Sequence, residues 1–378
     1  MPPISLMIKP VSGLCNMRCS YCFYTDEMSR RDTSVYERMS DETLENVVRR
    51  AFMYADDAVA LSFQGGEPTL AGAGFFRQVL RLERKYNTRG LRVVHALQSN
   101  GLHMDDEMLD VLREGRFLVG ISLDGTQEIH DSRRVDAAGQ GTYARVVETI
   151  RRLREAKVEY NVLCVVGQRI ARQPEKVYAA LSQHGFIQYI PCLDALDGTS
   201  FDVGLNAEDF GDFLVRTYRL YERSIREGRY VSIRAFDNWM GMLMGHPPEN
   251  CGFCGYCLPN YLVESNGDVF PCDFYALDEW KLGNLNTASM ARIAKSPVMQ
   301  RFLAVSRAID GHCRECAYLF ICRGGCRRDR EPCAQDGTPR LNRLCEGYKR
   351  FFGLCLEDMQ HLAEQIGRSR ARNQRVRL

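Results

Sequence analysis

Strands and helices alternate along the first two-thirds of the chain, and this alternation restricts the fold more than any other feature. Segments near Ser5–Lys9, Ala58–Gln64, Leu91–Gln98, Phe117–Leu123, Glu159–Val166 and Gln188–Leu193 are rich in Val, Ile, Leu and Phe and run into turns bearing Gly, Ser, Asn or Asp, as buried parallel strands do. Amphipathic stretches of helix length lie between them. One opens at Ser40, with Glu42 and Thr43 behind it, and others run from Thr142 to Ala156 and from Gln173 to His184. Strand and helix alternating at roughly thirty-residue spacing make βαβ units on a parallel sheet. Six such units fall short of the eight of a closed barrel. The expected fold is therefore α/β, a partial (β/α)6 TIM-like barrel.

In that architecture chemistry gathers on the loops that follow the strands. The first loop holds Cys15-Asn16-Met17-Arg18-Cys19-Ser20-Tyr21-Cys22, three cysteines separated by three and by two residues. A structural zinc site closes with four ligands, and no fourth Cys or His follows Cys22 closely. Iron–sulfur cubanes normally take four cysteines; one held by three leaves an iron open to a small molecule. The second loop is Gln64-Gly65-Gly66-Glu67-Pro68, where paired glycines let the backbone approach a ligand and the proline stiffens the turn. The third is Gln98-Ser99-Asn100-Gly101 and the fourth Ser122-Leu123-Asp124-Gly125. Any one of these is ordinary turn chemistry. Four on one face, beside an open metal corner, point to a site.

Net charge is only +2, and the last twelve residues hold five Arg, so the rest of the chain carries −3. That balance argues against a nucleic-acid surface, and the basic end, 367–378, is expected as a disordered tail. The start lacks the basic and long apolar regions of a signal peptide, and no apolar run reaches membrane-spanning length. A cytoplasmic protein is expected, with its thiols reduced. Sixteen cysteines in that setting indicate metal rather than disulfides.

Cys15-x3-Cys19-x2-Cys22, with Tyr21 before the last cysteine, resembles the signature of radical S-adenosylmethionine (SAM) enzymes, and Gly65-Gly66-Glu67-Pro68 resembles their motif for the methionine end of SAM. The resemblance implies a 4Fe–4S cluster whose open iron is chelated by SAM, and a 5′-deoxyadenosyl radical from its reductive cleavage. It implies contacts to SAM from Tyr21, Gly65, Gly66, Glu67, Ser122 and Arg134, with Leu193 lining the adenosine pocket.

Near Cys251 the composition turns Cys-, Gly- and turn-rich, and eleven of the sixteen cysteines follow. On spacing alone, Cys313-x2-Cys316 with Cys322-x3-Cys326 is also compatible with a four-cysteine zinc ribbon. Eight positions, however, resemble the SPASM extension of peptide-modifying radical SAM enzymes. That resemblance implies two auxiliary 4Fe–4S clusters, one on Cys251, Cys257, Cys272 and Cys326 and one on Cys313, Cys316, Cys322 and Cys345. Cys254 lies between two of these positions and competes with Cys257. Cys164 and Cys192, in buried-strand patterns, are expected as small apolar packing residues, and Cys333 and Cys355 as unligated. The expected division is 1–235 for the barrel, 236–366 for the SPASM domain and 367–378 for the tail.

The segment from Val263 to Cys272 reads as a hairpin turning at Asn266-Gly267. Lys281-Leu282-Gly283-Asn284-Leu285 resembles the family's segment before its second cysteine group, and Pro2-Pro3, Leu6-x-Ile8-Lys9-Pro10 and Gln64 ahead of Gly-Gly-Glu narrow the resemblance to anaerobic sulfatase-maturating enzymes. This implies oxidation of a Cys or Ser side chain in an unfolded or nascent sulfatase to Cα-formylglycine. It also implies a low-potential electron donor of flavodoxin or ferredoxin type, and no nucleic-acid or membrane partner. Asp273, beside Cys272, matches the family's catalytic aspartate and is the expected base; the alternative is that it caps the turn after the hairpin. Tyr24 and Gln64 are expected near the substrate. Two competing readings share parts of this pattern: a SPASM enzyme that crosslinks a ribosomal peptide, and a non-catalytic zinc scaffold. With the first strand expected almost at Ser5, an extra N-terminal peptide-binding domain is not expected.

Overall fold

The computed structural model describes residues 3–201, 204–332 and 340–375. Its strands are β1 (Ile4–Ile8), β2 (Ala58–Phe63), β3 (Arg92–Ser99), β4 (Leu118–Ser122), β5 (Tyr160–Val166), β6 (Phe186–Pro191), β7 (Ser232–Ile233), β8 (Tyr261–Val263), β9 (Asp268–Phe270) and β10 (Gly283–Asn284). All six expected strands are present, with no end moved by more than two residues. The chain packs as two compact units, neither continuous in sequence. The first comprises Met1–Leu123, Gln127–Leu163 and Pro259–Leu303, and the second Asp124–Thr126, Cys164–Leu258 and Ala304–Leu378.

In the first unit β1 to β5 pair in sequence order, all parallel, with Ile4 opposite Val59, Ala58 opposite Arg92, Ala96 opposite Leu118 and Val119 opposite Tyr160. Helices make the crossovers; Asp41–Tyr54, between β1 and β2, is capped by Ser40, whose hydroxyl accepts the Thr43 N–H at 3.1 Å. Behind β2, Phe63 meets Phe75 and Phe76 of helix Gly72–Tyr86 edge-on, and Phe117 closes the group. All four rings are buried, each worth about 1.5–3 kcal/mol. On the other edge of β1, β8 runs parallel with Leu6 opposite Tyr261, and β9 and β10 follow antiparallel. This edge carries the expected hairpin back to the first strand. Packing therefore does not divide the chain at 235/236, because the return is made by backbone pairing to β1, which composition does not reveal.

In the second unit β6 and β7 pair in parallel. Helices Ala207–Arg226, Arg234–Leu243 and Cys345–Arg375 share a core in which Phe236 packs against Tyr218, Trp239 and Phe351. The last helix starts at Cys345 and continues to Arg375. The tail expected from Gly367 is thus helical that far; Arg, Ala and Gln are good helix formers and simply extend the helix. Cys164, Cys192 and Cys355 are buried, and Cys333 lies outside the described residues. Among the described residues no helix is long and apolar enough to cross a membrane.

Candidate active site

The cysteine loop is built by short backbone bonds. Leu14 N–H donates to Val11 O at 3.0 Å and Cys22 N–H to Cys19 O at 3.2 Å, while Arg18 and Ser20 donate to Val135 O and Arg133 O at 2.8 and 3.2 Å. Those last two bonds hold the 133–135 segment beside the loop. Arg134 then donates to the Tyr21 hydroxyl at 2.5 Å, which brings together two residues expected at SAM. Cys15, Cys19 and Cys22 are half-buried and make no disulfide. Burial pushes the Cys15 thiol up, and the charges of Glu67 and Cys22 add to this, against hydrogen bonds from Met17 N–H and Asn100. Such a thiol ionises readily only when a metal takes the charge, so the donor set fits an iron–sulfur cluster.

The glycine loop lies directly on this one. A Cβ at Gly66, whose φ is +57°, would meet Leu14 O at 2.3 Å and Ser12 O at 2.9 Å, and Glu67 N–H donates to Leu14 O at 2.8 Å. The Glu67 carboxylate is turned to the chain itself. Oε1 accepts from Thr69 N–H, Thr69 Oγ1 and Ser99 Oγ at 3.0, 2.6 and 2.9 Å, and Oε2 from Asn100 N–H at 2.7 Å. Its side chain ties the second loop to the third, so any contact with SAM falls to the loop backbone. Asn100 Nδ2 sits 3.7 Å from Cys15 Sγ and bonds Asn16 Oδ1 at 2.7 Å. Its role went unassigned in the sequence, although its loop stood out there. Ser122 ends β4 half-buried, and Leu193, half-buried, follows β6 in the second unit.

Asp273 opens a single helical turn after β9 and is 5% exposed. Its carboxylate does not cap that turn. Oδ1 accepts from the Tyr24 hydroxyl at 2.7 Å and Oδ2 from Gln64 Nε2 at 2.8 Å, and Gln64 also donates to Tyr24 Oη at 2.9 Å. Three residues expected at the chemistry thus form one closed set. Burial raises the Asp273 carboxyl above its ordinary range, against the nearby charge of Lys9 and the Tyr24 bond. Tyr24 is held well above the usual phenol value by burial and by Asp273, so it stays a donor.

In the second unit Cys313, Cys316, Cys322 and Cys345 line one pocket with Tyr348 and Phe352. Burial, with the charges of Cys345, Cys313 and Cys316, pushes the Cys322 thiol up to about 12. Four clustered thiols cannot all ionise unless a polycationic centre joins them, and an iron–sulfur cluster is such a centre. Cys326 is raised by burial and by the charges of Asp329, Cys251 and Cys257. Cys254 instead points its thiol at Asn250 O, 3.9 Å away. The thiols whose charges act on Cys326 are Cys251 and Cys257, while Cys254 acts on Cys251. Cys272 lies in the first unit, and its assignment rests on the resemblance.

A cysteine triad and glycine loop on parallel strands, followed by a four-cysteine pocket, define a radical SAM enzyme with an iron–sulfur extension. The Radical SAM superfamily pattern matches residues 10–177 and the SPASM iron–sulfur cluster-binding domain residues 251–317. The chain is 38% identical over 370 residues to the cysteine-type anaerobic sulfatase-maturating enzyme of Clostridium novyi, covering 97% of this chain and 99% of that one. It is 29% identical to the serine-type enzyme of Bacteroides thetaiotaomicron, over 93% and 89% of the two chains. The solved structure of anSMEcpe with bound AdoMet and Cp18Cys peptide superposes with a TM-score of 0.91 at 37% identity, covering 97% of this chain and all of that one. The chain belongs to the family of anaerobic sulfatase-maturating enzymes. Its fold is the TIM-like partial barrel with a C-terminal SPASM domain, and its cofactors are SAM with a 4Fe–4S cluster and auxiliary iron–sulfur clusters. It is a radical SAM oxidoreductase that acts on a peptide substrate. The zinc-scaffold reading falls with these matches.

Proposed function

We propose that this enzyme oxidises a cysteine, in preference to a serine, of an extended sulfatase segment to Cα-formylglycine, with Asp273 as the base. The preference is supported by the higher identity to the cysteine-type relative, 38% against 29% for the serine-type one. The observation that carries the role of Asp273 is its buried carboxylate, held at both oxygens by Tyr24 and Gln64.

Cys15, Cys19 and Cys22 would hold the SAM-binding cluster, with Tyr21, Ser122, Arg134, Leu193 and the Gly65–Glu67 backbone around SAM. Cys251, Cys257, Cys272 and Cys326 would hold one auxiliary cluster, and Cys313, Cys316, Cys322 and Cys345 the other. When bound, SAM would supply hydrogen-atom abstraction at the target Cβ, and the auxiliary clusters would supply an acceptor for the second electron. What remains on the target is the thiol proton, and Asp273 accepts it. The product of that step has a Cβ=S bond, which water converts to the aldehyde with release of hydrogen sulfide. A carboxyl raised by burial is better matched to this proton than an ordinary one. Tyr24 and Gln64 hold its oxygens in place as the charge changes. The substrate enters extended, bound through its backbone with a few side-chain pockets. A flavodoxin- or ferredoxin-type donor supplies electrons in the cytoplasm, where the cysteines stay reduced.

The test is anaerobic turnover of two sulfatase-motif peptides, one with Cys and one with Ser at the target, read by mass spectrometry. Aldehyde from the Cys peptide at the higher kcat/KM is expected. Faster oxidation of the Ser peptide overturns the preference, and a crosslink in place of an aldehyde overturns the function.

A further inference from the structure

A buried lysine stands behind the Tyr24–Asp273–Gln64 set, and nothing in the reaction as described uses it. Lys9 follows β1 and is 2% exposed; its N–H donates to Val263 O at 2.9 Å, carrying the β1–β8 ladder one step further. A lysine in such a place is costly unless its charge is met. Two groups meet it. Nζ lies 3.7 Å from Glu264 Oε2, itself 0% exposed, and 4.3 Å from the centroid of the Tyr24 ring. The same Glu264 oxygen takes Arg31 at 3.0 Å, so Glu264 keeps a cation whether or not Lys9 is present.

The lysine stem is fixed as well as its head. A Cβ on Gly65, at φ +92°, would meet Lys9 Cγ, Cε and Cδ at 2.5, 2.7 and 2.8 Å. The stem therefore lies in the slot that Gly65 leaves, next to Gln64, and the ammonium ends under the ring whose hydroxyl holds Asp273. One side chain thus touches the glycine loop, Tyr24 and the end of β8. With Asp273 ionised, Lys9 and Arg31 offset Glu264 and Asp273, while buried Glu27 adds a further negative charge that acts on Tyr24.

We propose that Lys9 is a positioning residue for the oxidation step: seated against Gly65, its ammonium holds the Tyr24 ring and the charge balance around Asp273, so that hydrogen-atom removal from the substrate is followed by proton removal. Lys9 acts through Tyr24 and Asp273 and need not touch substrate. This rests on the reading of Asp273 as the base.

The test compares wild type, Lys9→Met and Asp273→Asn holoenzymes, with all clusters reconstituted, on a target peptide deuterated at Cβ. Met keeps the stem length and removes the charge. Expected for Lys9→Met are wild-type iron content, SAM cleavage within about twofold of wild type, deuterium still transferred into 5′-deoxyadenosine, and aldehyde formed per 5′-deoxyadenosine lower by about tenfold. The KM for peptide should change far less than kcat for aldehyde. An unchanged aldehyde-to-5′-deoxyadenosine ratio overturns the proposal. So does parallel loss of iron, SAM cleavage and deuterium transfer, which would make Lys9 part of the scaffold only. If Asp273→Asn itself makes aldehyde at the wild-type rate, the reading of Asp273 fails, and that outcome is separate from the ratio measured for Lys9→Met.

Discussion

The Tyr24 hydroxyl donates to Asp273 at 2.7 Å across a separation of 249 residues. Tyr24 rides on the short helix Phe23–Ser29 that begins directly after Cys22, and Asp273 directly follows Cys272. The bond therefore joins the residue following one cysteine system closely to the residue following the other. Gln64, on the loop before Gly65, completes the set. Tyr24, Gln64 and Asp273 thus belong to the same unit.

Asp273→Asn should leave SAM cleavage near wild type and lower aldehyde formation by about 10²–10⁴-fold, the usual worth of a general base. Tyr24→Phe should cost less, about tenfold, because Gln64 still holds one carboxylate oxygen. Loss of the phenol donor also leaves the carboxylate less stabilised, so the acid limb of its rate profile moves to higher pH. Both effects are read by quantifying aldehyde and 5′-deoxyadenosine in the same reaction. Equal loss of the two products in Asp273→Asn would count against a role confined to the proton.

Gly66→Ala should remove the SAM-binding cluster without unfolding the barrel. The new methyl would strike backbone atoms, Leu14 O at 2.3 Å and Ser12 O at 2.9 Å, and the residue would keep a φ of +57° that L side chains rarely adopt. Neither atom is the end of a flexible side chain, so the cysteine loop must move. Reconstituted iron should fall by about four per chain of about twelve, with SAM cleavage abolished and the circular dichroism of the fold kept. Full iron content with normal cleavage would show that the two loops do not depend on one another.

Much of this was legible in the sequence because its signals are local. The βα alternation located all six barrel strands, and the cysteine spacings and the glycine pair marked the loops that the structure brings into contact. What escaped depends on contacts distant in sequence. β8 joins β1 through backbone pairing of Leu6 to Tyr261, which no composition reports, so 259–303 packs with the first strands. Lys9 stands in the sequence at the end of a strand and within the Leu6-x-Ile8-Lys9-Pro10 motif, with no role assigned, and only its approach to Glu264 and Tyr24 places it beside Asp273's partner. Glu67 shows the converse: the motif pointed to SAM, while its carboxylate is spent on Thr69, Ser99 and Asn100.

His130 should make the fold weaken in mild acid. Its ring is fully buried, with Nε2 2.9 Å from Thr142 Oγ1, whose hydroxyl donates to Arg134 O at 2.8 Å. Burial, aided by the Arg134 charge, brings its pKa down to about 3. The unfolded chain binds this proton near pH 6.5 and the folded one does not. Stability is therefore complete above about pH 6.5 and falls by about 1.4 kcal/mol for each unit below it, down to the folded value. His130→Gln keeps a donor for Thr142 and loses the titration. Urea midpoints of wild type and variant should diverge with pH between about 7.5 and 5; parallel curves would show that His130 does not contribute.

Cys254 and Cys257 should separate cleanly on cluster content. Cys254 lies three residues from both Cys251 and Cys257, and spacing alone left the choice open. Around Cys326 the charges that bear on its thiol come from Asp329, Cys251 and Cys257. The Cys257 N–H is fixed by Ser306 Oγ at 2.9 Å, whereas the Cys254 thiol points at Asn250 O. Cys257→Ser should therefore lose about four iron per chain and one auxiliary-cluster signal in paramagnetic resonance, while Cys254→Ser keeps about twelve. Aldehyde formation should follow the iron, falling in the first variant and holding in the second. SAM cleavage should persist in both, because the Cys15–Cys22 loop is untouched. Retention of all the iron in Cys257→Ser, with loss in Cys254→Ser, would reverse the assignment and make Cys254 the third thiolate beside Cys251 and Cys326.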